Sequence, residues 1–171
     1  MLEETVARLI NEQIVHELYS AYLYLDFAGY YEDEGLKGFA NWYQVQAQEE
    51  RDHAMLFRSY LLNNGCRPRL AAIPCPDKDY PDFSAPLEKG LEHERLVTRL
   101  IHTIYEAAYA VKDFRTMQFL DWFVKEQGEE ETNADDLIKR FRLFGGDSKG
   151  LYMLDNELGT RVYTPPTLTL E

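Results

Sequence analysis

Residues 37–63 read KGFANWYQVQAQEERDHAMLFRSYLLN, and within them Phe39, Tyr43, Gln46, Glu50, His53, Phe57 and Tyr60 recur at alternating steps of four and three. That period marks one face of an α-helix, and the Asn63-Asn64-Gly65 that follows is a C-terminal stop. A helix that buries this face carries Glu50 and His53 into a core. An unpaired carboxylate is costly there, so the fold must supply a partner.

Outward from this stretch the same period recurs three times. Val6, Ile10, Gln13, Glu17, Ala21, Tyr24 and Ala28 set a first helix over about 3–32, ended by Asp33-Glu34-Gly35. Leu87, Leu91, Glu94, Thr98, Ile101, Tyr105 and Ala108 set a third over about 84–111, with Ser84 as its expected N-cap and Pro86 in its first turn. Phe123, Gln127, Glu130, Ala134, Leu137, Phe141 and Phe144 set a fourth over about 113–144, stopped by Gly145-Gly146. Asp147 or Ser148 caps a short fifth helix over about 147–158, ahead of an extended tail that contains proline.

Residues 64–83 carry no helical period and several prolines, and a connection of this length calls for a reason. A helix the length of 37–63 is about 40 Å long, whereas 18 extended residues reach roughly 60 Å. The crossover can therefore return along the whole bundle and set the second and third helices parallel. The expected fold is all-α, a single domain over 1–171: a four-helix bundle with a long crossover between helices two and three and a short fifth C-terminal helix.

A formal charge of -12 over 171 residues disfavours nucleic acid as a partner, because phosphates repel such a surface, and suits the attraction of cations. No apolar run approaches the length of about 20 residues needed to cross a bilayer. The start, MLEETVARLINEQ, lacks a basic region followed by an apolar stretch, so a cytoplasmic protein is expected. Cys66 and Cys75 lack the further Cys or His of a closed zinc site and read as reduced thiols in a surface loop.

Each of the four long helices brings metal-capable groups to its inner row. Glu50 and His53, three apart, share a helix face and can bind one ion or adjacent ions, and Gln127 and Glu130 repeat that spacing. Carboxylate and imidazole ligands suit iron, and a shared carboxylate can hold two ions close together. The expected arrangement has Glu17, Glu50 and His53 around one ion, Glu94 and Glu130 around its neighbour, and Glu50 bridging them. Gln127 sits beside the second ion as a weak ligand or hydrogen-bond partner. Tyr24, two turns beyond Glu17, either donates a hydrogen bond to a ligand, supplies an electron, or simply packs. Glu49, Glu126 and Glu129 form an acidic layer next to these residues, read either as a third, weaker ion site or as a solvated face.

The pattern Glu17, Glu50-x-x-His53, Glu94 and Gln127-x-x-Glu130, with Tyr24, closely resembles the bacterial non-haem ferritins over nearly the whole chain. The resemblance implies a ferroxidase centre of Glu17, Glu50, His53, Glu94 and Glu130, with Gln127 at it, Tyr24 nearby, and Glu49, Glu126 and Glu129 joining Glu130 around a third iron. It further implies twenty-four chains in a hollow shell, oxidation of ferrous iron by dioxygen or hydrogen peroxide, a stored ferric oxyhydroxide mineral, and release by a reductant the sequence does not name. Bacterioferritins carry Glu-x-x-His in both paired helices and a haem-ligating Met where this chain has Asp52, so no haem is expected. Two other readings stand beside this one. A di-iron oxygenase needs an organic-substrate pocket beside Glu94 and Tyr24, and an inactive acidic scaffold needs no metal.

Overall fold

The structure is a computed structural model that describes residues 2–76 and 79–170. Five helices account for its order: α1 (Glu4–Asp33), α2 (Lys37–Asn63), α3 (Ala85–Ala110), α4 (Phe114–Phe144) and α5 (Ser148–Leu158). Local chemistry sets most of the ends. Glu3 takes the Thr5 and Val6 amides of α1, Asp113 takes the Thr116 amide of α4, and Asp147 takes the Lys149 and Gly150 amides of α5. The α1–α2 and α2–crossover turns place Gly35 and Gly65 at φ 81° and 75°, where a Cβ is disfavoured. At α3 Ser84 holds the N-cap position expected of it. Ser84 precedes the helix, but its hydroxyl caps nothing; Asp82 Oδ1 instead accepts from the amides of Ser84 and Ala85 at 2.9 and 3.1 Å.

The crossover runs the length of α1. Asn11 holds Arg69 through two bonds of 2.8 and 2.7 Å near one end, and Tyr31 donates to the Phe83 carbonyl at 2.6 Å near the other. The chain therefore re-enters at the far end of the bundle, and α3 lies antiparallel to α1 and parallel to α2. Residue pairs agree: Ser20 meets His93 on α3, while Gln46 and Tyr60 meet Glu130 and Thr116 on the antiparallel α4.

The buried apolar residues fall into two clusters, one around Phe27, Tyr31, Phe39 and Leu87, the other around Ile10, Phe57, Ile101 and Phe123. Each aromatic side chain removes enough surface from water to stabilise the fold by roughly 2–3 kcal/mol, which is the surplus that allows a polar layer to persist between them. All seven residues of the α2 row are buried, but the other rows are looser than their period suggests. Ala21, Thr98, Tyr105, Ala134 and Phe141 are only partly buried, and Phe144 is exposed. On α3 the buried face widens to take in His93, Val97 and Ile104, because that helix packs on α1 as well as α4. Neither cysteine is in a disulfide; Cys75 is exposed, whereas Cys66 is partly buried against the second cluster. Among the described residues no helix is long and apolar enough to cross a membrane.

The fifth helix docks on the start of α2. Asp155 Oδ1 accepts from the Gly38 and Phe39 amides at 2.8 and 3.0 Å, filling in for the missing cap of that helix. The approach is so close that a Cβ at Gly38 meets the Asp155 carbonyl oxygen at 1.6 Å, so only glycine fits.

Candidate metal centre

Between the two apolar clusters, Glu17, Glu50, His53, Glu94, Gln127 and Glu130 are all buried, as is Tyr24. Each arrives there because its helix row is otherwise apolar: burying Ile14 and Phe27 on α1, or Phe57 on α2, carries the intervening acid inward. Glu17, Glu50 and His53 each offer one ligand atom, and these three atoms lie within 4.8 Å of one another, the group of that kind among the described residues. His53 Nδ1 lies 3.5 Å from Glu50 Oε2.

The hydrogen bonding differs across the layer. Gln13, one turn before Glu17, donates to Glu17 Oε1 at 2.8 Å, yet no donor reaches Glu17 Oε2, a buried oxygen without a partner. On the other side Tyr24 donates to Glu94 Oε1, and Gln127 Nε2 donates to Glu94 Oε2 at 3.1 Å and to the Glu94 carbonyl at 3.2 Å. Gln46 stands between the halves, donating to Glu130 Oε2 at 2.7 Å and to Glu50 Oε1 at 3.3 Å. Gln127 and Tyr24 are thus both hydrogen-bond donors to Glu94.

Burial is the main reason that all four carboxyls are held above the usual carboxylate range. Glu17 and Glu50 are raised well above it, Glu50 adding to the effect on Glu17 and Glu94 to that on Glu50. Glu130 is also raised well above it, with the charges of Glu94 and Glu50 adding to burial. For Glu94 the bonds from Tyr24 and Gln127 oppose the effect of burial. Four buried acids with one orphaned oxygen form a set that a multivalent cation satisfies and that a well-packed core does not explain. The donor set of carboxylates plus one imidazole fits iron. Between Tyr24, Glu94 and Glu130 there is a cavity of about 20 Å³. Water or dioxygen fits such a space, and an organic substrate does not.

The acidic layer separates from this core. Glu49, Glu126 and Glu129 line one cavity of about 280 Å³ with His53 and Glu130, so the structure does bring them together beside the buried group. They are not equivalent there: Glu49 pairs with Arg161 at 2.6 Å, Glu129 is exposed and lies 3.4 Å from Lys125, and burial raises Glu126. Trp122 packs edge-on to His53 at 5.5 Å.

Sequence reasoning assigned no role to Gln13, Gln46, His93 or Arg161. The two glutamines had a signal, since each precedes its acid by four residues, the spacing at which a side-chain amide reaches a carboxylate on a helix. His93 meets Ser20 Oγ at 2.7 Å and is pushed down to about 4 by burial, with His16 adding to the effect. Arg161 comes from beyond the last helix, where no period operates.

Comparisons agree with this geometry. A family model described as a ferritin-like domain matches residues 7–144. The bacterial non-heme ferritin of Staphylococcus aureus (strain MRSA252) is 34% identical over 163 residues, 95% of this chain and 98% of that one. A probable bacterial non-heme ferritin-like protein of Haemophilus influenzae is 34% identical over 93% of this chain and 96% of its own length. Among solved structures, a novel open pore ferritin from the hyperthermophilic archaeon Archaeoglobus fulgidus superposes with a TM-score of 0.92 at 43% identity, covering 95% of this chain and 100% of that one. With its four-helix architecture, its buried Glu-Glu-His group and relatives matched along nearly their whole length, the chain belongs to the ferritin-like family and is similar throughout to the bacterial non-haem ferritins.

Proposed function

We propose that the protein is a ferroxidase that stores iron: it oxidises ferrous ions at a dinuclear centre within each chain and deposits the ferric product inside a shell of twenty-four chains. The observation that carries this reading is the buried quartet of Glu17, Glu50, Glu94 and Glu130 with His53, one of whose oxygens has no donor. Glu17, Glu50 and His53 hold the first ion, Glu94 and Glu130 the second, and Glu50 bridges. The carboxylates give up the protons that burial favours when the ferrous pair binds; each ion then gives one electron, the two together reducing dioxygen to hydrogen peroxide, or hydrogen peroxide to water, with protons from solvent. Tyr24 and Gln127 fix the rotamer of Glu94 through its two oxygens. Glu49, Glu126 and Glu129, with Glu130, offer a third site on the way out, and a cytoplasmic location agrees with iron supplied as the ferrous ion.

The small cavity beside Tyr24 speaks against an oxygenase acting on an organic substrate. Aerobic addition of ferrous iron to purified protein, followed by size measurement and iron counting, tests the proposal. The expected result is rapid oxidation with mineral retained in an assembly of roughly 500 kDa, given 20.0 kDa per chain. A monomer that retains no iron refutes it.

A further inference from the structure

After α5 the residues from Thr160 to Leu170 form no helix. They lie as a strap along the groove between α2 and α4. Asn41 donates to the Arg161 carbonyl at 3.0 Å, Tyr163 donates to Asp52, Trp122 donates to Thr167 Oγ1 at 2.9 Å, and Leu168 and Leu170 pack on the second apolar cluster. The strap thus passes over the cavity lined by Glu49, Glu126 and Glu129.

Arg161 is the single charged side chain between Thr160 and Leu170. Its guanidinium donates to Glu49 Oε2 at 2.6 Å and to Gln46 Oε1 at 2.8 Å, and stacks 4.2 Å from the centre of the Trp42 ring. Both partners of the ion pair are largely covered, with side-chain exposures of 18% and 19%. By taking the Gln46 carbonyl, Arg161 also fixes which way that amide points, and its NH2 group is thereby aimed at Glu130 and Glu50. One cation of the strap therefore holds an acid of the outer cavity directly and an acid of the buried group at one remove.

We propose that Arg161 is a guard residue: its guanidinium stands in for a cation on Glu49 and, through Gln46, presets Glu130, so that a third ion enters the outer cavity only by displacing the strap. This rests on the reading of the buried group as a two-ion centre. A divalent ion on Glu49 competes with the guanidinium that already holds Oε2, because the two cations repel across one carboxylate. Displacement has a built-in reporter, since Trp42 lies under Arg161 and Trp122 is bonded to the strap.

The test is an anaerobic titration of the assembled protein with Zn²⁺, a redox-silent divalent ion, followed by calorimetry and tryptophan emission in the wild type, Arg161→Gln and Arg161→Lys. In the wild type the third ion per chain binds more weakly than the first two and brings its own change in emission. In Arg161→Gln it binds about tenfold tighter, the scale of one charge-assisted contact, and that emission step disappears. Arg161→Lys, which keeps the charge without the fork, falls between them. Equal third-ion affinity in wild type and Arg161→Gln, or no third ion in either, overturns the guard while leaving the two-ion centre standing. Failure of the first two ions to bind overturns the centre itself. Should Arg161→Gln not assemble, amide exchange of the wild type decides: residues 160–170 should exchange faster at Zn²⁺ saturation, and unchanged protection overturns the proposal.

Discussion

Glu17 and Glu50 stand 33 residues apart on α1 and α2, and Glu94 and Gln127 stand 33 residues apart on α3 and α4. The two helical hairpins thus offer matching positions to the centre, with His53 opposite Glu130 in the same scheme. They fill them differently. The first hairpin gives two acids and an imidazole that converge, with one oxygen lacking any donor. The second gives Glu94, an amide and Glu130, and both acids there are already engaged by Tyr24, Gln127 or Gln46. A cation entering the first half gains an unsatisfied ligand at once, whereas one entering the second must take ligands away from neutral donors. On the proposed two-ion reading, likeness of position would set where the ions sit, and the donors around each acid the order in which they arrive.

Removing the converging half is the harshest way to break this contrast. Glu17→Ala with His53→Ala should cost the fast phase of ferrous oxidation about 100-fold or more, since losing even an outer partner of a ligand costs roughly 10- to 100-fold. Stopped-flow absorbance measures it, and a fast phase of unchanged amplitude refutes the assignment.

Gln127→Glu attempts the opposite, making the second hairpin carry the acid that Glu50 supplies in the first. The second divalent ion should bind about tenfold tighter, while the metal-free protein should lose roughly 1–3 kcal/mol for a further buried charge. Calorimetry and chemical denaturation read the two effects together; unchanged affinity for the second ion refutes the place given to residue 127 beside it.

Tyr24→Phe removes one of the donors that hold Glu94. A loss of about three- to tenfold in oxidation rate is expected, on the order of one hydrogen bond of about 1 kcal/mol. No change at all means that the bond from Tyr24 to Glu94 carries no weight in the oxidation.

The smallest effect concerns protons. Burial raises Glu17, so in the metal-free fold its neutral form is favoured over what the unfolded chain allows. Stability from this group is therefore complete below the ordinary glutamate range near about pH 4 and is lost as pH rises through the raised value. Glu17→Gln, which cannot ionise, should melt at nearly the wild-type temperature in acid and roughly 2–4 °C above it near pH 8 for each kcal/mol relieved. A gap that narrows as pH rises contradicts the sign.

Much of this was legible in the sequence because a bundle core enforces a strict spacing. The α2 row from Phe39 to Tyr60 is buried throughout, and a residue in a 4-3 row between aromatics has nowhere else to point. The same logic overreached at helix ends. Phe144 keeps the period but lies at the last residue of α4, where no neighbour remains to cover it. On α3 a single row understated the face, since contact with two helices buries Val97 and Ile104 as well. Ser84 holds the N-cap position of α3 that its sequence signals, but its hydroxyl is turned away for a local reason: the Asp82 carboxylate accepts several donors at once, here two amides and the Ser84 hydroxyl. Arg161 left no trace in any pattern. Its place depends on where the strap runs, which follows from the docking of α5.

That docking gives position 38 an unexpected reach. Gly38 belongs to neither hairpin's metal row, yet it fixes the height at which Asp155 meets α2, and through α5 the starting point of the strap. A methyl group there would lift the fifth helix, carry Arg161 off Trp42 and Glu49, and leave Gln46 free to turn over. If Arg161 guards the outer acids as proposed, a change at this glycine, silent in the ligand set, would alter how many ions each chain accepts.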